Sequence, residues 1–320
     1  MAEAATNERM QKAASRCAAL VDNIQTVIVG KRPVVEQAVA ALLSQGHILI
    51  EDVPGVGKTM LAKALATSIS GDFKRIQFTA DLLPSDVTGV NIFSQSEETF
   101  SFRRGPVFAN VLLGDEINRA TPRTQSSLLE AMEELQVTVD GVRHSLEHPF
   151  MVVATQNPIE LEGTYPLPFA QLDRFMVRLR IGYLDPPEER RMVLQRIGRS
   201  PIATMQPALT CATLRELQGA VTGVTVSDDV LDYVLAVVRA TRETDSLEYG
   251  ASPRGGLDLT RFSQAVALMN GRDYVLPDDV KASARPVLAH RVIVRKGTRH
   301  ATLSLDELID ELVESVDVPV

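Results

Sequence analysis

Apolar residues along this chain occur in two textures, short unbroken runs and rows at helical spacing. Ile48-Leu-Ile50, Val111-Leu-Leu113 and Phe150-Met-Val-Val153 are unbroken, as expected of strands buried on both faces of a parallel sheet. Ile76 and Phe78 instead alternate with Arg75 and Gln77, and Phe175, Val177, Leu179 and Ile181 alternate with Met176, Arg178 and Arg180, the two-residue period of half-exposed strands. The pattern predicts five strands over residues 47–51, 74–78, 110–113, 150–154 and 175–181, with the three unbroken runs central and the two alternating ones at the edges. Cys17, Leu20, Val21, Ile24 and Val27 recur at helical spacing over about 7–27, and 32–44 repeats the pattern, so two helices precede the first strand.

Two insertions interrupt the alternation. Residues 82–108 are rich in turn formers and phenylalanine, including Phe93, Phe100 and Phe102, and Asp140-Gly141 within 137–142 predicts a hairpin with a two-residue turn. Past Asp185-Pro-Pro187 the strand signal fades and residues 188–197 read as a connecting helix. Ser227 caps a row of Val230, Leu231, Val234, Leu235 and Val238, Pro277-Asp-Asp279 opens a helix, and Ser304-Leu-Asp-Glu307 is a capping box. The expected fold is α/β: a parallel five-stranded αβα sandwich over residues 1–198, then an all-α domain over 199–320.

Between the first predicted strand and a helix from about 58 to 69 lies Glu51-Asp-Val-Pro-Gly-Val-Gly-Lys-Thr59, the setting of a loop that cradles phosphates. Gly55 and Gly57 let backbone N–H groups approach the anion, Lys58 brings a compact charge, the Thr59 hydroxyl suits Mg²⁺, and the helix dipole points at the same place. Pro54, Gly55, Val56, Gly57, Lys58, Thr59 and Met60 are the expected contacts of a nucleoside triphosphate, ATP or ADP. Asp52 stands where the usual motif has its first glycine, either in a tolerated positive-φ turn or at an ordinary β angle. At the end of the third strand, Asp115 suits Mg²⁺, held directly or through water, and Glu116 suits a group that orients and deprotonates an attacking water. Asn157, after the fourth strand, reaches the same rim, to hold that water or the γ-phosphate, or else is a turn residue before Pro158.

The formal charge is 33 − 41 = −8, which argues against a general attraction to nucleic acid or to anionic membrane. Cys17 and Cys211 are far apart and without metal spacing, as are His47, His144, His148, His290 and His300. Neither a signal peptide nor a membrane span is expected, and the cysteine usage fits a cytoplasmic protein.

Several blocks in order resemble the MoxR family of AAA+ ATPases. They are the phosphate loop, Gly-Asp-Glu-Ile-Asn-Arg-Ala120, Leu-Leu-Glu-Ala-Met-Glu-Glu134, Ala-Thr-Gln-Asn-Pro-Ile159, Glu-Gly-Thr-Tyr-Pro-Leu-Pro168, Gln-Leu-Asp-Arg-Phe175 and Gly-Ala-Ser-Pro-Arg254, spanning about 30–292. The resemblance implies a P-loop NTPase core with a helical lid, nucleotide in the cleft between them, and a homo-hexameric ring. It implies that Arg174 is an arginine finger on the γ-phosphate of a neighbouring subunit's nucleotide, and that Arg254 is sensor 2, reaching in from the lid. For Arg174 an ion pair with Asp173 or a nearby carboxylate is the competing reading, and for Arg254 an exposed loop arginine. The 82–108 segment resembles the family's helix-2 insert and the Asp140-Gly141 hairpin its pre-sensor-1 hairpin. Each faces a central opening or a client, unless the phenylalanines only pack the insert down. Gly114 stands where the family has alanine, and Gly255-Gly256 where Ala-Ser is commoner, a change that loosens the start of the sensor 2 helix.

The implied activity is Mg²⁺-dependent ATP hydrolysis driving remodelling or maturation of a protein client, with a von Willebrand factor A domain protein as partner. Two competitors stay open: a magnesium-chelatase-like or helicase-like motor of the same clade, and a scaffold that binds nucleotide with little hydrolysis.

Overall fold

The chain is described from a computed structural model over residues 2–95, 98–159, 163–198, 200–295 and 304–319, with side chains from residue 8 onward. Glu162 and His300, named above, lie outside the described residues. In chain order the first elements are α1 (Ala2–Gln25), α2 (Arg32–Leu43), β1 (Ile48–Glu51), α3 (Lys58–Ser68) and β2 (Phe73–Gln77). Then come α4 (Pro84–Thr88), the hairpin β3 (Gly89–Ser94) and β4 (Thr99–Arg104), β5 (Val111–Asp115), α5 (Pro122–Glu134) and a second hairpin of β6 (Gln136–Val139) and β7 (Val142–Ser145). β8 (Met151–Gln156), α6 (Phe169–Leu172) and β9 (Val177–Leu179) complete the α/β part. The rest is α7 (Pro186–Arg196), α8 (Pro201–Thr204), α9 (Cys211–Val221), α10 (Asp228–Glu243), β10 (Leu247–Tyr249), α11 (Pro253–Met269), α12 (Pro277–Leu288), β11 (Ile293–Val294) and α13 (Leu305–Glu314).

Five strands pair in the order β2-β5-β8-β1-β9, every neighbour parallel. The three apolar runs are the three central strands and are buried along their apolar lengths, as the absence of polar positions requires. On β2, Ile76 is buried while Arg75 and Gln77 are exposed, so its alternation does report a half-exposed edge. The other edge departs from expectation. β9 is only three residues long and all three are buried. Arg178 is buried because its guanidinium meets Glu51 at 3.2 Å and Asp306 of α13, and Arg180 meets Asp306 at 3.2 Å. An edge strand that should face water is thus packed against α2 and α12, and its charge is neutralised by Glu51 and by Asp306 of α13.

Both faces of the sheet carry apolar cores. One core joins the sheet to α1, α2 and α3 and runs on without a break into α9, α10, α11, α12 and α13. The other joins the opposite face to α5 and to the roots of the insertions, through Phe78, Val87, Val107, Leu128 and Val137. Asp140 and Gly141 both have positive φ, 49° and 79°, as the two-residue turn between β6 and β7 requires. The phenylalanines of the insert divide. Phe102 packs on Phe108 and stacks on His144, with centroids 5.7 and 3.9 Å apart, while Phe93 and Phe100 pair at 5.1 Å and stay exposed. Cys17 is buried, and burial pushes its thiol up to about 12. Among the described residues no helix is long and apolar enough to cross a membrane.

His47, at the entry to β1, is wholly inside. Its Nε2–H donates to the Met132 carbonyl at 3.0 Å and its Nδ1 accepts from the Val152 N–H at 3.0 Å, an arrangement only the neutral ring can satisfy. Burial, aided by the charge of Arg254 and opposed by the Met132 bond, lowers its pKa to about 4. The unfolded ring titrates near 6.5, so below that pH the unfolded chain binds the extra proton. The stabilisation is therefore complete above about pH 6.5 and is lost as pH falls toward 4, on the order of 3 kcal/mol in all. The urea midpoints of wild type and His47→Gln should accordingly converge between pH 7 and pH 4.5; parallel curves would refute the assignment.

Candidate active site

Parallel strands place all their carboxyl ends at one rim, and the loop after β1 lies there. Gly57 caps α3 with φ 99°, Gly55 has φ 86°, and no atom lies within 4 Å of where a Cβ would stand on either. The loop is an open cradle at the start of an eleven-residue helix, which fits a polyphosphate. Pro54 and Gly55 are exposed, and Val56, Lys58, Thr59 and Met60 are half-buried along the same turn. Lys58 Nζ donates to the backbone carbonyl of Asp52. Burial lowers its pKa, opposed by the charges of Asp52, Asp115 and Glu116.

Asp52 is not in the left-handed region, so the turn keeps an ordinary φ here. Its carboxylate is instead a backbone acceptor: Oδ2 takes the N–H groups of Ile181 and Gly182, each at 2.7 Å, and Oδ1 takes that of Val53 at 2.8 Å. A glycine could not do this. The side chain ties the start of the loop to the exit of β9. Between them opens a cavity of about 120 Å³, lined among others by Val27, Val29, Val56, Ile181 and Tyr183 beside Gly55 and Gly57. Sequence reasoning missed this largely apolar pocket, because its walls come from chain segments far apart.

β5 delivers Asp115 and Glu116 to the same rim, and β8 organises them. Thr155 Oγ1 donates to Asp115 Oδ1 at 2.6 Å and accepts the Glu116 N–H at 2.9 Å. Asp115 Oδ2 pairs with Arg75 at 2.6 Å. The Glu116 backbone is left-handed, at φ 57° and ψ 51°, and its carboxylate accepts from Gln77 Nε2 at 2.9 Å and pairs with Arg119 Nε at 3.0 Å. Thr155, Gln77, Arg75 and Arg119 all escaped the sequence reading. Asn157 follows β8 at this rim and is buried, its Oδ1 accepting the Ile159 N–H at 3.2 Å, so it does close the local turn. Oxygen donors from Asp115 and Thr59 match the hard-ligand preference of Mg²⁺, an ion that takes few protein ligands beside phosphate oxygens.

Arg174 and Arg254 are elsewhere. Both pair with Glu133, Arg174 Nη2 at 2.9 Å and Arg254 Nη1 at 3.1 Å. Glu133 is in the last turn of α5, next to Met132, whose carbonyl bonds His47 before β1 begins. This is the amino-end rim, separated from the loop by the length of β1, roughly 13 Å for four residues at about 3.3 Å each. Arg254 therefore does not enter the cleft beside its own loop, contrary to expectation, because α11 starts beside the turn before β9 rather than over α3. The competing reading of Arg174, an ion pair with Asp173 or a nearby carboxylate, is met within this copy by Glu133, while Asp173 accepts from Ser252 Oγ at 2.9 and 3.0 Å. Gly255-Gly256 does not disrupt α11, which runs seventeen residues with Ser252 as its cap.

A five-stranded parallel sheet with this loop, a carboxylate pair at the end of β5, which β8 separates from β1, and a helical C-terminal part define a P-loop ATPase of the AAA+ architecture. Residues 47–177 match the ATPase family associated with various cellular activities (AAA), and residues 239–312 match the AAA lid domain. The chain is 48 % identical over 300 residues to the uncharacterized protein YeaC of Bacillus subtilis, covering 94 % of each. It is 41 % identical to chaperone MoxR1 of Mycobacterium tuberculosis, over 92 % of this chain and 80 % of that one. A crystal structure of a candidate ATPase from Cytophaga hutchinsonii superposes with a TM-score of 0.91 at 36 % identity, covering both chains fully. The chain belongs to the MoxR family of AAA+ ATPases.

Asp52 gives a direct test of how the loop is held. Asp52→Ala strands three backbone N–H groups, two of them at the exit of β9, and should cost about 2–4 kcal/mol in urea unfolding. It should also weaken binding of a fluorescent ADP analogue about tenfold. Wild-type values for both would mean that the carboxylate does not hold the loop.

Proposed function

We propose that this chain hydrolyses ATP with Mg²⁺ in a homo-oligomeric ring, expected to be a hexamer, and uses the energy to remodel or mature a client protein. The observation that carries this is the division of the site: Lys58, Asp115 and Glu116 at one rim, Arg174 and Arg254 on one carboxylate at the other. A second copy presenting its amino-end rim to the loop of the first would complete a site that neither holds alone. In this reading Pro54, Gly55, Val56, Gly57, Lys58, Thr59 and Met60 contact the nucleotide. The pocket bounded by Val27 and Tyr183 takes its base.

Thr59 and Asp115 would hold the metal. Mg²⁺, when bound, neutralises charge on the β- and γ-phosphate oxygens. Glu116 orients a water for in-line attack on the γ-phosphorus and takes its proton, while Asn157 helps to fix that water. The bond from phosphorus to the bridging oxygen breaks, and ADP and phosphate result. Arg174 and Arg254 from the neighbouring copy spread their charge over the phosphate oxygens, a contribution that needs groups that stay protonated.

The two domains are drawn at 1–198 and 199–320. The exposed Phe93 and Phe100 of the insert and the Asp140-Gly141 hairpin are the surfaces offered to a client. A von Willebrand factor A domain protein is the proposed partner and the cytoplasm the proposed location. The net charge of −8 disfavours a nucleic acid motor.

Steady-state phosphate release and nucleotide titration test the reading together. Glu116→Gln should bind ATP normally and turn over at least 100-fold more slowly. Arg174→Ala should keep its affinity while kcat falls by about 10³ or more. Equal, negligible rates in wild type and Glu116→Gln would favour the scaffold over the motor, and loss of ATP affinity in Arg174→Ala would refute a role in trans.

A further inference from the structure

Glu133 divides its carboxylate between two arginines that come from distant parts of the chain. Oε2 forms an ion pair with Arg174, in the turn before β9, and Oε1 accepts from Arg254, in the first turn of α11. The backbones beneath both arginines are tied together, since Ser252 bonds Asp173 and buried Arg291 bonds the Asp173 and Phe175 carbonyls at 3.2 and 2.7 Å. The two guanidiniums themselves have no bonding partner other than Glu133 among the described residues. Arg174, Arg254 and Glu133 are 30, 38 and 39 % exposed, open enough for an outside anion to reach them.

Two guanidiniums brought side by side repel, and each loses rotamer freedom when it is fixed. A carboxylate edge and a phosphate edge offer a guanidinium fork the same pair of acceptor oxygens. We propose that Glu133 is a positioning residue that stands in for phosphate: it keeps Arg174 and Arg254 gathered as a two-armed anion receptor until nucleotide on a second copy of the chain replaces it. The proposal rests on the reading that both arginines act in trans. Ion pairs this exposed break readily, so the exchange is easy, and the ordering of the two side chains is already complete before the copies meet.

Glu133→Gln keeps the size of the side chain and removes its charge. For this variant kcat should fall five- to tenfold with KM for ATP within twofold of wild type, and the thermal midpoint should not move. Sedimentation with Mg²⁺ and the non-hydrolysable analogue AMP-PNP should need several-fold more protein to reach half assembly, whereas assembly without nucleotide should be unchanged. In an Arg174→Ala, Arg254→Ala background the same substitution should shift nothing further. Wild-type turnover and assembly in Glu133→Gln would overturn the proposal, as would an equal shift in the background lacking both arginines. A rise in either quantity would make Glu133 a competitor of phosphate and would overturn it too. If wild type itself does not hydrolyse ATP, the functional reading fails, while the assembly midpoints still decide the role of Glu133.

Discussion

All five strands of the central sheet run in one direction, and that constraint sorts the chemistry of the chain. Every strand releases its chain at the same rim, so the loop after β1, the carboxylates after β5 and the asparagine after β8 meet there without any long connection. Every residue that precedes a strand or ends a returning helix is carried to the opposite rim. Glu133 ends α5, Arg174 precedes β9, and His47 precedes β1; they gather for the same geometric reason. Within one copy the guanidiniums at one rim are held away from the phosphate loop at the other.

Charge burial secures the outer edge of this arrangement. Arg178 and Arg291 are the most buried ion-paired guanidiniums of the described residues, with side-chain exposures of 6 and 0 %. Arg178 joins Glu51, the residue before the phosphate loop, to Asp306 at the start of α13. Arg291 joins Asp258 of α11, at 2.5 Å, to the turn that carries Arg174. Removing one member of such a pair leaves an uncompensated charge inside, at a cost of about 3–5 kcal/mol. Both networks therefore act as registers: each ties a C-terminal helix to a strand end at a defined place, one at each rim of the sheet.

What the amino-acid sequence disclosed follows from which interactions are local. Ile48-Leu-Ile50 and Val111-Leu-Leu113 were readable as central strands because burial on two faces removes polar residues from consecutive positions. The alternation over 175–181 misled for the same reason in reverse: Arg178 looks solvent-facing until Glu51 and Asp306, 127 and 128 residues away, are seen to neutralise it. Asp52 read only as a backbone question, positive φ or ordinary β angle at a glycine position, since its partners are backbone N–H groups that no side-chain pattern reveals. Thr155, just past the predicted strand, drew no reading; only the parallel register that sets Ala154 beside Gly114 puts its hydroxyl between Asp115 and Glu116. Arg174 and Arg254 were recognisable as motif members, yet their common carboxylate was not, because pairing across 41 and 121 residues leaves no periodic trace.

The unbroken apolar core limits how such a molecule can move. α1, α2 and one face of the sheet share that core with the C-terminal helices, and interiors packed like crystals do not slide continuously. A shift of the C-terminal helices against the sheet would have to proceed by exchanging discrete polar contacts at their boundary, among them Arg178 with Asp306, Arg291 with the Phe175 carbonyl, Ser252 with Asp173 and Arg254 with Glu133. The first is buried and costly to open, the last is half-exposed and cheap. The path of least cost for such a shift therefore begins at the half-exposed contact of Arg254 with Glu133, at the amino-end rim.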